Sequence, residues 1–205
     1  MKKYVLPAFV AILSITILGN IDMVIAKNKL DEISSGYYGA LTIMSKAIFF
    51  ATSVIASVMF SMSSEESHKK KKSKNTFKYA VALTFLATTS ATLLYFFFPR
   101  FVISIFFGEK YFVVAEFLGW FALMASLYAF VNLFIQYLLS VGKTNSVWTF
   151  LTITVFGTCA IFFWGNTIRD IILIGIFNQI VLILASLAYI FDGKGLRCLS
   201  TKDQQ

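Results

Sequence analysis

The chain has 205 residues, of which 58% are hydrophobic and 14% charged, where soluble domains carry about 45–50% and about 25%; its mean hydropathy is +0.78. That excludes a disordered chain and an ordinary soluble domain, and two cysteines, two prolines and eleven glycines exclude a disulfide scaffold or a collagen-like repeat. The net charge of +8 comes with no motif for bases or phosphates, so it reads as lysines gathered in cytoplasmic loops, with no nucleic-acid partner.

The expected fold class is all-α, a polytopic membrane bundle of six transmembrane helices. The first apolar run is residues 4–26, behind Lys2 and Lys3. Its length, and Asn20 and Asp22 where a cleavage region is small and neutral, favour a retained helix over a signal peptide. The second run is 37–62, entered through Ser34, Ser35 and Gly36. A basic segment, 63–78, follows and contains Lys69, Lys70, Lys71 and Lys72. The third run, 79–98, stops at Pro99, and the aromatic, amphipathic link to Ala115 is expected to lie along the membrane surface. The remaining runs are 116–140, 146–164 and 171–191, and 192–205 is a polar tail. Runs of this length without strict alternation are helices and not barrel strands. Trp120, Trp148 and Trp164 lie near span ends, as in an aromatic belt.

With six crossings, one side of the membrane holds 12 Lys/Arg and the other 5, and Lys46 lies within a span. The asymmetry puts both termini in the cytoplasm of a cell-membrane protein.

Lys46 is the residue that most needs a reason, because insertion of a lysine near a helix centre costs about 2.5–3.5 kcal/mol. Ser35, Gly39, Thr42, Ser53 and Ser57 fall within about 40° of it on the helical wheel. Such a face belongs against protein or water. Two readings stand: a cavity-lining cation that attracts an anion, and a lysine that snorkels or pairs with one acid. Asp22 is the natural candidate partner for that pairing; Asn20 and Asp22 lie about 160° apart on the wheel and so cannot serve one face.

Tyr128, Asn132, Gln136 and Ser140, at steps of four, draw a polar line along the fourth span. It serves either as interhelical glue or as the lining of a substrate path. Asn178 and Gln179 admit the same two readings, and Thr154 and Thr158 are expected to bond their own backbone. The lysines at 69–72 serve topology, with anionic-lipid contact as a further role. His68, Cys159 and Cys198 make no metal set, no cofactor motif is present and no carboxylate pair is placed for acid–base work. No catalytic residue, metal or cofactor is therefore expected, and the chain does not read as an enzyme.

Three segments carry a family resemblance. The first runs from Asn20-Ile21-Asp22 through Ser35-Gly36-Tyr37-Tyr38-Gly39-Ala40 to Ser45-Lys46-Ala47. The second is Ile105-Phe106-Phe107-Gly108-Glu109-Lys110-Tyr111, and the third Leu138-Leu139-Ser140-Val141-Gly142-Lys143-Thr144. In order and spacing they resemble the C-terminal half of Wzx-type flippases for polysaccharide and oligosaccharide-lipid precursors, relatives of the MATE exporters. The resemblance covers about residues 15–145; the last two helices are similar only in hydropathy. It implies one six-helix lobe of a transporter whose two lobes enclose a cavity, with a lipid-linked saccharide as substrate and a second lobe and membrane lipids as partners. It also implies that Lys46 attracts the pyrophosphate of the carrier lipid; the residue pattern, not the resemblance, offers Asp22, Asn132 and Gln136 as candidates on the substrate path. A non-transporting subunit or truncated remnant, and a MATE-like small-molecule exporter lobe, are the rival expectations.

Overall fold

A computed structural model describes residues 2–68 and 74–191. In chain order it contains α1 (Lys2–Leu18), α2 (Ile21–Lys29), α3 (Glu32–His68), α4 (Lys74–Phe97), α5 (Pro99–Phe106), a 3-10 turn (Glu109–Val114), α6 (Ala115–Ser140), α7 (Ser146–Trp164) and α8 (Ile168–Phe191). Among the described residues every element is helical, and six helical segments are long and apolar enough to cross a membrane. The expected all-α bundle of six spans is therefore what the chain forms. The lysines at 69–72 and the tail from 192 lie outside the described residues.

The bundle is built around α6. Within its most apolar stretch 72% of residues are buried, against 22–33% in the other spans, so α6 is the hub and the rest form its shell. Helix α6 packs against α3, α4 and α8, while α1 packs chiefly on α7. Large apolar side chains such as Phe85, Leu86, Phe97, Phe156 and Phe177 are exposed. In water such a surface would aggregate; against acyl chains it costs nothing.

The helices overrun the apolar stretches because local hydrogen bonds extend them. Asp31 starts α3: its Oδ2 accepts from the Ser34 amide at 3.1 Å, the geometry of an N-cap. Hydrogen bonding from Ser34 holds the Asp31 carboxyl below the usual carboxylate range. Ser34, Ser35 and Gly36 thus lie inside α3 rather than leading into it. At the far end α3 reaches His68 and α4 starts at Lys74, so most of the basic segment is helical. Across that connection Glu66 accepts from the Thr76 hydroxyl at 2.8 Å.

Pro99, which ends α4, opens α5 at the first helical position, where its missing N–H is not needed. Helix α5 buries Val102 and Ile103 and exposes Phe101, Ile105 and Phe106. Helix α6 ends in a Schellman turn: Lys143 N donates to Leu138 O at 2.9 Å and Gly142 N to Leu139 O at 3.1 Å. Gly142 has φ +77°, a conformation nearly free for glycine alone. The Lys143 ammonium then donates to the Tyr189 carbonyl in the last turn of α8, where a cation suits the helix dipole.

Candidate functional site

The first span is not one helix. It breaks at Gly19 and Asn20, between α1 and α2. A break at membrane depth leaves backbone groups that need partners, since lipid offers none. Two side chains hold the broken end of α1. The Tyr128 hydroxyl, from α6, donates to the Ile15 carbonyl at 2.7 Å, and Asn20 Nδ2 donates to the Thr16 carbonyl at 2.8 Å. Gly19 is what lets Tyr128 in, because a Cβ there would lie 2.4 Å from the tyrosine oxygen. Phe49 of α3 stacks on the Tyr128 ring with centroids 4.4 Å apart.

Lys46 reaches the same break. Helix α3 begins at Glu32, so Lys46 lies about 20 Å along it at 1.5 Å per residue. Its Nζ donates to Asn20 Oδ1 at 2.9 Å. Lys46 is half-buried and Asn20 exposed. Asp22, the candidate partner for Lys46, lines the same cavity as that lysine, while its Oδ2 accepts from the buried Tyr38 hydroxyl at 2.8 Å. The wheel that set Asn20 and Asp22 apart presupposes an unbroken helix. Across the break the two still part, Asn20 exposed beside the C-terminal end of α1 and Asp22 buried in the first turn of α2. The two half-helix ends sort the charges by their dipoles: Asn20 relays the ammonium to the carbonyl end of α1, and the carboxyl group sits at the amide end of α2.

Asp22, Thr42, Ser45, Lys46, Tyr128 and Gln179 supply the polar lining of one small cavity, with Leu18, Phe49, Met124 and Ala125 among its apolar walls. Its volume is about 30 Å³, room for one or two waters. The Thr42 and Ser45 hydroxyls donate to Tyr38 O and Thr42 O, each at 2.9 Å, which leaves their lone pairs as acceptors. Asp22 Oδ1 and Gln179 Oε1 are buried acceptors with no hydrogen-bond partner. The site thus joins one cation to several acceptors in a narrow, mostly apolar enclosure. Among the described residues no group of three His, Cys, Asp or Glu is placed to hold a metal.

The structure brings Lys46 and Asp22 together and keeps Asn132 and Gln136 apart from them. Gln136 Nε2 donates to Asn132 Oδ1 at 3.1 Å, and neither residue lines the cavity. Ser140 bonds the Tyr137 carbonyl in its own helix, and Tyr128 alone of that polar line reaches the site. Thr158 bonds its own backbone, donating to Thr154 O at 2.9 Å, while Asn178 is buried against Gly157. Sequence reasoning gave Gln179 little weight and did not single out Gly19 or Tyr38 as site residues. Gln179 could have been found from its burial cost, but Gly19 acquires meaning only from the tyrosine of a distant helix.

Two of the resembling motifs meet in space. Tyr37, at the start of α3, packs edge-on against Tyr111 of the 3-10 turn, centroids 5.9 Å apart. Gly108, between α5 and that turn, has φ +78°, which explains the glycine in the second motif.

Six helical segments long and apolar enough to cross a membrane, packed around a hub, define a multi-pass membrane protein. The family model for polysaccharide biosynthesis proteins matches residues 1–116, more than half of the chain. The chain belongs to that family. No curated protein and no solved structure matches it.

Proposed function

We propose that this chain is the C-terminal lobe of a flippase that moves lipid-linked oligosaccharide or polysaccharide precursors across the cytoplasmic membrane. The observation that carries the reading is the Lys46–Asn20 pair. It sits at a helix break, part of it exposed, at a depth where exposed polar groups face protein or water rather than lipid. A second six-helix lobe, from another chain, another copy or an upstream segment, would cover that face and turn the cleft into a closed cavity. Rocking of the two lobes would then open the cavity to each side in turn.

In this reading Lys46 attracts the anionic linkage of the carrier lipid, Asn20 holds the ammonium at the cleft, and Asp22 lies on the same path. Asn132 and Gln136, bonded to each other in α6, would lie farther along it. The lysines at 69–72 would meet anionic headgroups on the cytoplasmic side, where both termini lie. The protein does no covalent chemistry and acts as a transporter rather than an enzyme. A MATE-like exporter of cationic compounds is the weaker rival, since a lysine in the cleft would repel such a cargo.

The test is export by Lys46→Ala and Lys46→Arg at matched membrane levels. Lys46→Ala is expected to lose about tenfold or more of the activity, the worth of about 1.4 kcal/mol of differential binding, with insertion unchanged and Lys46→Arg largely active. Normal export by Lys46→Ala would remove Lys46 from the mechanism.

A further inference from the structure

A second groove, which shares no lining residue with the Lys46 cavity, lies between the first turns of α6 and α8. It has a volume of about 390 Å³ and is lined by Glu116, Phe117, Trp120, Arg169, Ile172 and Leu173. That is the scale of small-molecule sites, about 300–1,000 Å³. Helices α6 and α8 begin at the same end of the bundle, one after the α5 link and the other after the short turn that follows α7. Glu116 and Arg169 sit in those first turns and are exposed. They face one groove, yet no ion pair within 4.0 Å joins them or either of them to another described residue.

The lining changes character with depth. Trp120 follows Glu116 by four residues and Leu173 follows Arg169 by four, so each apolar side chain lies about 6 Å farther along its helix than the charge above it. Trp120 is 47% exposed and its ring packs edge-on against Phe96, centroids 6.2 Å apart. An indole at this level is the usual anchor of a membrane interface. The groove therefore runs from one acid and one base at the rim to aromatic and aliphatic walls below.

We infer that this groove binds the headgroup of a zwitterionic phospholipid, with Arg169 on the phosphate and Glu116 on the ammonium. A guanidinium is the side chain best shaped for a phosphate. The carboxylate on the other wall has a counterpart only in a lipid that also carries a cation. An anionic headgroup would leave Glu116 unpaired and repelled, so the charge pattern selects against it. Trp120, Phe117, Ile172 and Leu173 take the glycerol and the first acyl carbons.

The experiment uses the full chain, delipidated in detergent and titrated with phosphatidylethanolamine against phosphatidylglycerol of identical acyl chains, with bound lipid read by native mass spectrometry. The wild type is expected to prefer phosphatidylethanolamine by about threefold to fivefold, the range of one exposed charge pair. Glu116→Gln should erase or reverse that preference, and Arg169→Gln should weaken binding of both lipids. Both side chains are exposed, and an unchanged melting temperature checks that the variants fold. Equal or better binding of phosphatidylglycerol by the wild type, or unchanged selectivity in Glu116→Gln, would overturn the inference. So would a neutral glycosyl-diacylglycerol that displaces phosphatidylethanolamine, which would assign the groove to a saccharide. None of these outcomes bears on Lys46.

Discussion

Asn20 joins the Lys46 ammonium to the broken end of α1. Its Oδ1 accepts from Lys46 Nζ at 2.9 Å while its Nδ2 donates to the Thr16 carbonyl at 2.8 Å. One amide thereby satisfies a charge and a backbone group together, something a carboxylate could not do because it has no donor.

That difference makes Asn20→Asp informative. The new carboxylate would form an ion pair with Lys46 and leave the Thr16 carbonyl without a side-chain donor, so the two effects on stability oppose each other. The melting temperature of the purified protein is expected to stay within the shift given by about 1 kcal/mol. Export should nevertheless fall strongly, because a carboxylate bonded directly to Lys46 offsets the ammonium that attracts the anionic cargo. Asn20→Leu should show the opposite profile, with lower stability and partial export. Full export by Asn20→Asp would show that the charge of the cleft does not matter.

Gly19 and Tyr128 form a lock between the first span and the hub. A Cβ at position 19 would meet Tyr128 Oη at 2.4 Å and Cζ at 2.8 Å, and the ring cannot withdraw freely because Phe49 stacks on it. Gly19→Ala is therefore expected to destabilise by about 1–3 kcal/mol through overpacking. Tyr128→Phe loses only the bond to the Ile15 carbonyl, about 1 kcal/mol, because that carbonyl still accepts from the Gly19 amide at 3.1 Å. Combining Gly19→Ala with Tyr128→Ala should cost less than the sum of the two single changes, as a double-mutant cycle of thermal stability would measure. Strict additivity would mean that the two residues do not meet.

Gly142 ends the hub helix, and its φ of +77° penalises any side chain. Gly142→Ala is expected to cost about 1–2 kcal/mol. The loss should appear as a lower melting temperature and as faster amide exchange in the last turn of α6, with little change elsewhere. A φ-tolerant Gly142→Asn should recover part of it. Equal stability of the alanine and asparagine variants would argue against the left-handed turn.

The six crossings were legible because hydropathy over about 20 residues reports a strong, additive transfer energy. Lys46 stood out for the same reason, as the one Lys or Arg inside a span. What could not be read was the break in the first span. Residues 4–26 give one apolar run, and the reason to interrupt it, Tyr128, lies more than a hundred positions away on α6. The wheel kept Asn20 and Asp22 on different faces, and one is exposed and the other buried, but it held no sign of the turn between α1 and α2. Helix ends lie beyond the apolar runs for a local reason: Asp31 caps α3 through Ser34, whereas the apolar run begins only at Tyr37. The polar line in α6 was real as a pattern, but spacing alone does not distinguish a residue that bonds its neighbour, as Gln136 does with Asn132, from one that reaches another helix, as Tyr128 does.

Asp22 offers the sharpest separation of stability from function. It is only 9% exposed, with Oδ2 bonded to Tyr38 at 2.8 Å and Oδ1 without a partner. Tyr38 is fully buried and packs edge-on against Phe121, centroids 5.0 Å apart, so Tyr38→Phe keeps the packing and removes only the donor. The variant strands a buried acceptor and should cost about 1–3 kcal/mol. Asp22→Asn retains an oxygen for the Tyr38 hydroxyl and brings two donors to the cavity, where Gln179 Oε1 is an unpaired acceptor. It should be close to wild type in stability, and more stable than Tyr38→Phe. If the carboxylate acts on the substrate path, Asp22→Asn will still lose export while Tyr38→Phe, at equal protein level, will keep most of it. Loss of export in proportion to melting temperature across both variants would reduce Asp22 to a structural residue.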